Sequence, residues 1–401
     1  MRALLSVILL VALAGALAGA PVRGAEVDVS GSVELQARTF WHDPQWVGQD
    51  DQALQGSVVS TTEFRWRSEE GNQRASLIPY LRWDATDDER SLVDLNEAYW
   101  AFEGDDYEVL VGSNTVFWGV TESVHLVDII NQTDFAGDID GEDKLGQPMV
   151  SLMLQRDWGE ISAFVMPYFR ERTFAGVEGR FRPPVPVDTD NPIYESSDKE
   201  SHVDLALRYS HYIGDVDIGL HAFSGTSREP RFVPSPDGAS LLPVYDQIDQ
   251  FGVDVQYTTD SWLWKLEAIA RDGATHSFAA AVGGFEYTFY QVSESSADVG
   301  LLVEYQYDGR NEFEPVTIAD NDVFVGTRLA LNDIQDTAVL AGFSYDTDTG
   351  ETFINIEAER RFGDDWFGEL RVRAFSGAEQ GDNTFFLQQD DYVQVSLSRY
   401  F

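Results

Sequence analysis

The side chains best equipped for ionic chemistry in this chain of 401 residues are its arginines, 24 Arg against 3 Lys. A guanidinium offers a rigid planar fork of donors that matches carboxylate and phosphate, which an ammonium does not. Nine basic residues fall on the polar phase of segments that alternate polar with apolar: Arg38, Arg65, Arg67, Arg82, Arg208, Lys265, Arg328, Arg371 and Arg373. Acids share that phase, among them Glu34, Asp254, Glu267, Glu304, Glu357 and Glu369. A second concentration of charge lies in residues 114–147, where Glu122, Asp128, Asp134, Asp138, Asp140, Glu142 and Asp143 stand against a single Lys144. Acids set across a narrow gap from arginines produce a transverse field that orients polar solutes and penalises apolar ones. The plainer reading is a wet wall of ion pairs.

Other chemistry finds less support. The run "DIDGED", Asp138 to Asp143, spaces carboxylates around a glycine as calcium loops do, but it lacks the twelve-residue frame with a closing Glu. No metal ligand and no cofactor are assigned. Ser210 and His211 are adjacent and point to opposite faces of a strand, and His202 and His221 read as polar wall groups. No glycine-rich phosphate loop or triad is present, so no catalytic residue is assigned and the chain is not read as an enzyme.

Composition narrows the class. With 69 Asp+Glu against 27 Lys+Arg the net charge is -42, which argues against nucleic acid as a partner, because phosphate binding needs a basic surface. There is no cysteine, so neither disulfides nor thiolate metal sites arise. Ten Trp and sixteen Tyr are many for an acidic soluble domain, and such amphipathic rings favour membrane interfaces.

The first 25 residues, with Arg2, an apolar run from Leu4 to Leu17 and small residues up to Ala25, read as a secretory signal peptide cut after Ala20 or Ala25. An uncleaved anchor is the alternative. No later stretch approaches the roughly 18 apolar residues of a membrane helix. A membrane location for residues 26–401 therefore requires a closed β-barrel, which alone also satisfies every backbone group in lipid.

Period-two alternation supplies the strands. Asp28 to Trp41 puts Ser30, Ser32, Glu34, Gln36 and Arg38 on one face and Val29, Val33, Leu35 and Ala37 on the other. Leu370, Val372 and Ala374 alternate with Glu369, Arg371 and Arg373 in the same way. Eighteen strands are expected, with sixteen the alternative, beginning near residues 27, 57, 74, 92, 106, 148, 159, 201, 215, 248, 262, 276, 297, 321, 337, 351, 366 and 391. Their connections alternate long and short: "SEEGN", "EGDD", "RDWGE" and "IGD" are tight, whereas 114–147, 170–200 and 225–247 are long. Short periplasmic turns and long extracellular loops mark outer-membrane barrels. An even strand count returns both termini to the periplasm.

The chain ends "YVQVSLSRYF", an alternating strand closed by Phe401. In this it resembles Gram-negative outer-membrane β-barrels, whose last strand ends in an aromatic residue. The resemblance implies that Phe401 is the assembly signal read by the barrel-assembly machinery and that the outer face meets outer-membrane lipid and lipopolysaccharide. Residues 95–135, with their strand, turn, strand and Trp-Gly entry to a long loop, resemble porin-like proteins of proteobacteria. That resemblance implies a pore, and sixteen to eighteen strands leave an aqueous channel where about eight would fill it. The nine basic residues then line the pore, and 114–147 is the constricting loop. The expectation is an all-β outer-membrane channel passing small hydrophilic solutes passively. The alternatives are a selective uptake or export channel for an anionic substrate, by analogy with alginate-export barrels, and a structural or adhesive surface barrel.

Overall fold

The computed structural model describes residues 26–401; the signal-peptide assignment, 1–25, lies outside the described residues. Seven strands open the barrel: β1 (Glu26–Phe40), β2 (Leu54–Arg67), β3 (Gln73–Asp84), β4 (Leu92–Glu103), β5 (Tyr107–Asn114), β6 (Gln147–Arg156) and β7 (Gly159–Met166). A short β8 (Ile193–Tyr194) precedes β9 (Asp204–Ile213) and β10 (Val216–Thr226), and two more loop strands follow, β11 (Arg231–Pro234) and β12 (Leu241–Tyr245). The barrel resumes with β13 (Gln247–Thr258), β14 (Trp262–Asp272), β15 (Ser277–Phe289), β16 (Asp298–Asp308) and β17 (Asp322–Ala330). It finishes with β18 (Ala338–Asp346), β19 (Thr352–Phe362), β20 (Trp366–Ser376) and β21 (Tyr392–Tyr400).

Eighteen of these form one antiparallel sheet in which each strand pairs with its neighbours, and β1 closes the ring against β21 from Ser32↔Tyr400 to Phe40↔Tyr392. Closure removes the edges that lipid would otherwise leave unpaired. Phe401 extends the seam, exchanging backbone hydrogen bonds with Gly31 at 3.0 and 3.1 Å. Gly31 is needed there, since a Cβ would lie 2.6 Å from the Thr61 carbonyl and 2.7 Å from the Phe401 ring.

Because neighbouring strands pair in register, one inward phase runs around the whole ring, and slipping one residue would turn every polar side chain toward lipid. The outward phase exposes Leu35, Val93, Leu207, Phe251, Leu301 and Leu397. Aromatic residues band this face at both ends: Trp100, Trp158, Trp262, Trp264 and Trp366 near the short turns, and Trp83, Tyr305, Tyr307 and Tyr345 near the long loops. Two such girdles around an apolar band are the outer surface of a transmembrane barrel. Arg399, which departs from the apolar phase, lies over the Trp366 ring at 5.6 Å, where a cation can hold its charge at the interface. Pro79 lacks a ladder donor, and the β3–β4 pairing shifts register at Ile78/Pro79, leaving Asn96 of β4 as the extra residue.

Two features differ from the alternation pattern. The loops after β7 and β10 are not bare, because β8, β11 and β12 join into a small three-stranded sheet among them. The inward phase is not uniformly polar either. Met149, Phe164, Met166, Phe223, Ile248 and Ile269 all face inward and pack with Trp118, Val127, Ile129 and Ile130 of the long loop after β5. An apolar wall exists where a folded segment has to be held inside the barrel.

Candidate functional site

The long loop, residues 115–146, enters the barrel instead of standing outside it, and its own polar groups pin it at the waist. Asn131 donates from Nδ2 to the carbonyls of Asn114 and Leu145, both at 2.8 Å, and its Oδ1 accepts from the Val116 amide at 2.8 Å. Two lobes result. The first crosses to the opposite wall, where Glu267 of β14 accepts from the amides of Val120 (2.7 Å) and Thr121 (3.0 Å). Glu304 of β16 accepts from the amides of Glu122 (2.9 Å) and Ser123 (2.9 Å). A carboxylate facing a turn of free amides satisfies backbone donors that the lumen would otherwise leave unpaired.

The second lobe, closed by a bridge between Thr133 and Lys144, faces β1, β3, β20 and β21 and carries most of the loop acids. Asp134 meets Arg82 at 2.8 Å and accepts from the Thr173 hydroxyl at 2.6 Å. Asp138 is bonded to Arg371 and lies 3.3 Å from the Tyr392 hydroxyl. Asp140 meets Arg373 at 2.7 Å. Burial on its own would raise the Asp138 carboxyl, but Arg373, Arg371 and Arg38 outweigh it and hold the group below the ordinary carboxylate range. Glu357 at 2.9 Å from Arg373 and Glu369 at 2.9 Å from Arg371 complete the cluster from the wall side.

The nine basic residues all occupy the inward phase of their strands, and eight of them have identified partners. Arg328 meets Glu122 at 2.7 Å, and Lys265 reaches the same carboxylate at 3.6 Å. Arg208 grips Asp254 with both terminal nitrogens at 2.8 and 2.9 Å and lies over Trp118. Arg38 donates to Gln394 at 2.9 Å and stacks between Tyr392 and Phe181. Arg65 pairs with Glu63 at 2.9 Å, with Arg67 two residues further along β2 at the turn end. Of the remaining loop acids, Asp128 caps the Trp118 amide at 2.7 Å, Glu142 bonds His125 at 2.9 Å, and Asp143 is exposed.

The order of exposure matters more than the pairing. Arg82 and Arg373 are 2% and 0% exposed, whereas Glu142 is 53% and Glu357 34% exposed. Burial of arginine beneath acid is confined to a few positions, since Arg328 and Arg371 are more exposed than Glu122 and Asp138, the acids they hold. Of the "DIDGED" carboxylates, Asp138 and Asp140 are held by arginines, Glu142 by His125, and Asp143 is exposed. Among the described residues the acids close enough together to share an ion are Asp320, Asp322 and Asp346, at the loop end of β17 and β18. Ser210 pairs opposite Gly219 on the inward phase and His211 opposite Ile218 on the outward one, so the two do not form a dyad.

Sequence reasoning did not single out Phe117, His125 or Tyr392. Tyr392 sits in the last strand's inward phase, a signal available from alternation. Phe117 and His125 lie in a loop, where no period marks a face.

Neither a protein-family model nor a curated protein matches the chain in sequence. Among solved structures the chain is similar to Wzi of Escherichia coli, described as an outer-membrane protein involved in group 1 capsule assembly and a carbohydrate-binding β-barrel. That likeness has a TM-score of 0.55 at 10% identity, covering 92% of this chain and 84% of Wzi. OccAB1 of Acinetobacter baumannii gives 0.54 at 8% identity, over 94% and 96% of the two chains. OpdQ of Pseudomonas aeruginosa gives 0.52 at 11% identity, over 95% and 99%. At these identities the likeness establishes the fold alone: a closed 18-stranded antiparallel barrel similar to those of outer-membrane proteins.

Proposed function

We propose that the protein is a passive outer-membrane channel for small hydrophilic solutes, and that its constriction prefers cations. The short turns and both termini face the periplasm, the long loops face outward, and residues 115–146 narrow the passage. The observation that carries the preference is exposed acid on the inserted loop: Glu142 and Asp143 meet solvent without an arginine in salt-bridge contact, while Arg82 and Arg373 are buried. Charges presented to the aqueous path act over a Debye length of about 8 Å at physiological ionic strength, and paired charges in the wall largely cancel before reaching it. The pairing of Arg82 and Arg373 with Asp134, Asp140 and Glu357 speaks against an anion subsite built on these two arginines. The girdled outer face supports contact with lipid and lipopolysaccharide, and the seam at Phe401 supports delivery by the barrel-assembly machinery. Single-channel recording across a KCl gradient tests the reading. A reversal potential on the cation-selective side is expected; anion selectivity, or purified barrel that carries no current, overturns it.

A further inference from the structure

The large apolar side chains of the inserted loop are buried or, as with Leu126 and Phe135, partly buried, and Phe117 alone is exposed. Trp118, Val127, Ile129, Ile130 and Ile139 are all 7% exposed or less, but Phe117 is 56% exposed. It is not on the lipid side. Its neighbours Val116 and Trp118 bond back to Asn131 and Asp128 of the same loop, and Val120 and Thr121 are already seated on Glu267 of the inner wall. Leaving a phenyl ring in the aqueous lumen forgoes part of its favourable burial, although an apolar wall that houses Trp118 is one residue away.

The surroundings of Phe117 are organised. Its ring meets the His125 imidazole edge-on, with centroids 4.9 Å apart. The same imidazole holds Glu142 through Nε2 at 2.9 Å, and Glu267 stands 3.8 Å from its other nitrogen. Gly119 makes room for this group, since a Cβ there would run into His125 and come within 3.0 Å of the Phe117 ring. Two carboxylates against one imidazolium leave the group net negative, and Glu142 presents that charge to solvent. Lys144 reaches the Thr133 hydroxyl at 3.5 Å and, like Arg373, acts on Glu142 through Coulomb attraction without a salt-bridge contact. An exposed aromatic ring and an exposed carboxylate are thus held one imidazole apart on the solvated side of the constriction.

We propose that Phe117 and Glu142 form a subsite for organic cations, alkylammonium groups above all, positioned by His125. An aromatic ring attracts a weakly hydrated ammonium through its quadrupole, and the carboxylate adds Coulomb attraction. Potassium gains little from the ring because it keeps its water. A carboxylate solute is repelled by Glu142. The proposal rests on the channel reading and names the solute class that its constriction favours.

The test uses the full-length barrel in planar bilayers, with tetraethylammonium and propionate as probes added to a KCl background. Tetraethylammonium is expected to interrupt or reduce the single-channel current in a concentration-dependent way, and propionate at equal concentration is not. Phe117→Ala should raise the half-blocking concentration about 3-fold, the range of a partly exposed cation–π contact. Glu142→Gln should raise it up to about 5-fold, and Phe117→Trp should keep the block. Heat-modifiable migration of each variant confirms that the barrel has assembled. Block by propionate, or an unchanged half-blocking concentration in assembled Phe117→Ala, overturns the subsite while the channel stands. Absence of any current in the unmodified protein overturns both.

Discussion

The acids that seat the second lobe can be removed with little change of shape by combining Asp138→Asn with Asp140→Asn. In the native cluster Arg371 and Arg373 face four carboxylates, Asp138, Asp140, Glu357 and Glu369. Each hydrogen bond to a charged group contributes about 1.5–3 kcal/mol where water is excluded. Asp138 is 3% exposed and counts nearly in full, Asp140 is 19% exposed and counts for less, and the two share their arginines, so their effects do not add. The loss is about 2–4 kcal/mol. At 1.4 kcal/mol per tenfold, the ratio of seated to unseated lobe falls about 30-fold to several hundred-fold. The two arginines then face two carboxylates, and the cluster loses up to two negative charges. Single-channel recordings of the double variant should show frequent excursions to substates of higher conductance. The reversal potential in a KCl gradient should also shift away from the cation-selective side. Wild-type current steps together with a wild-type reversal potential would refute the reasoning, since the loop would then be held by something other than these pairs.

Deleting Phe401, or replacing Gly31 with Val so that its side chain meets the Thr61 carbonyl and the Phe401 ring, should lower the amount of heat-modifiable barrel in membranes; undiminished levels would show that the seam is dispensable. Protease sites test the topology: one placed near residue 185 should be cut from outside intact cells and one at Gly214 should not, and the reverse result would invert the barrel. His125 gives the loop a pH dependence. Burial disfavours its charge, but Glu142 and Glu267 push its pKa up to about 10, above an unfolded value of roughly 6.5. A raised folded pKa stabilises fully below the unfolded value and is lost as pH rises through the folded one. Current fluctuations from the loop should therefore be lowest below about pH 6.5 and grow progressively as the pH rises toward 10, and His125→Asn should abolish that dependence. Fluctuations that do not change between pH 6.5 and 10 would show that His125 is not charged in the seated loop.

The amino-acid sequence on its own determined the barrel. Alternation is a local property, carried by residues two apart on one strand, so the inward and outward phases, the eighteen strands and the short and long connections could all be read without knowing which strands pair. The inward placement of Arg208, Arg328, Arg371 and Arg373 follows from the same period, as does the closing strand from Tyr392 to Phe401. Tertiary structure decided how those charges are used. Asp138 and Arg371 lie 233 positions apart in the chain, and nothing in the spacing of either segment says that they meet. The loop's path depends on which strands stand opposite one another in the closed ring, which brings Glu267 and Glu304 under its amides. The inward apolar patch from Met149 to Ile269 looks like noise in an alternating pattern until Trp118 and Ile130 are seen resting on it. The strands β8, β11 and β12 are too short to show a period. Whether arginine or carboxylate faces the water depends on the depth at which each side chain is buried, and depth is set by packing across the lumen, not by order along the chain.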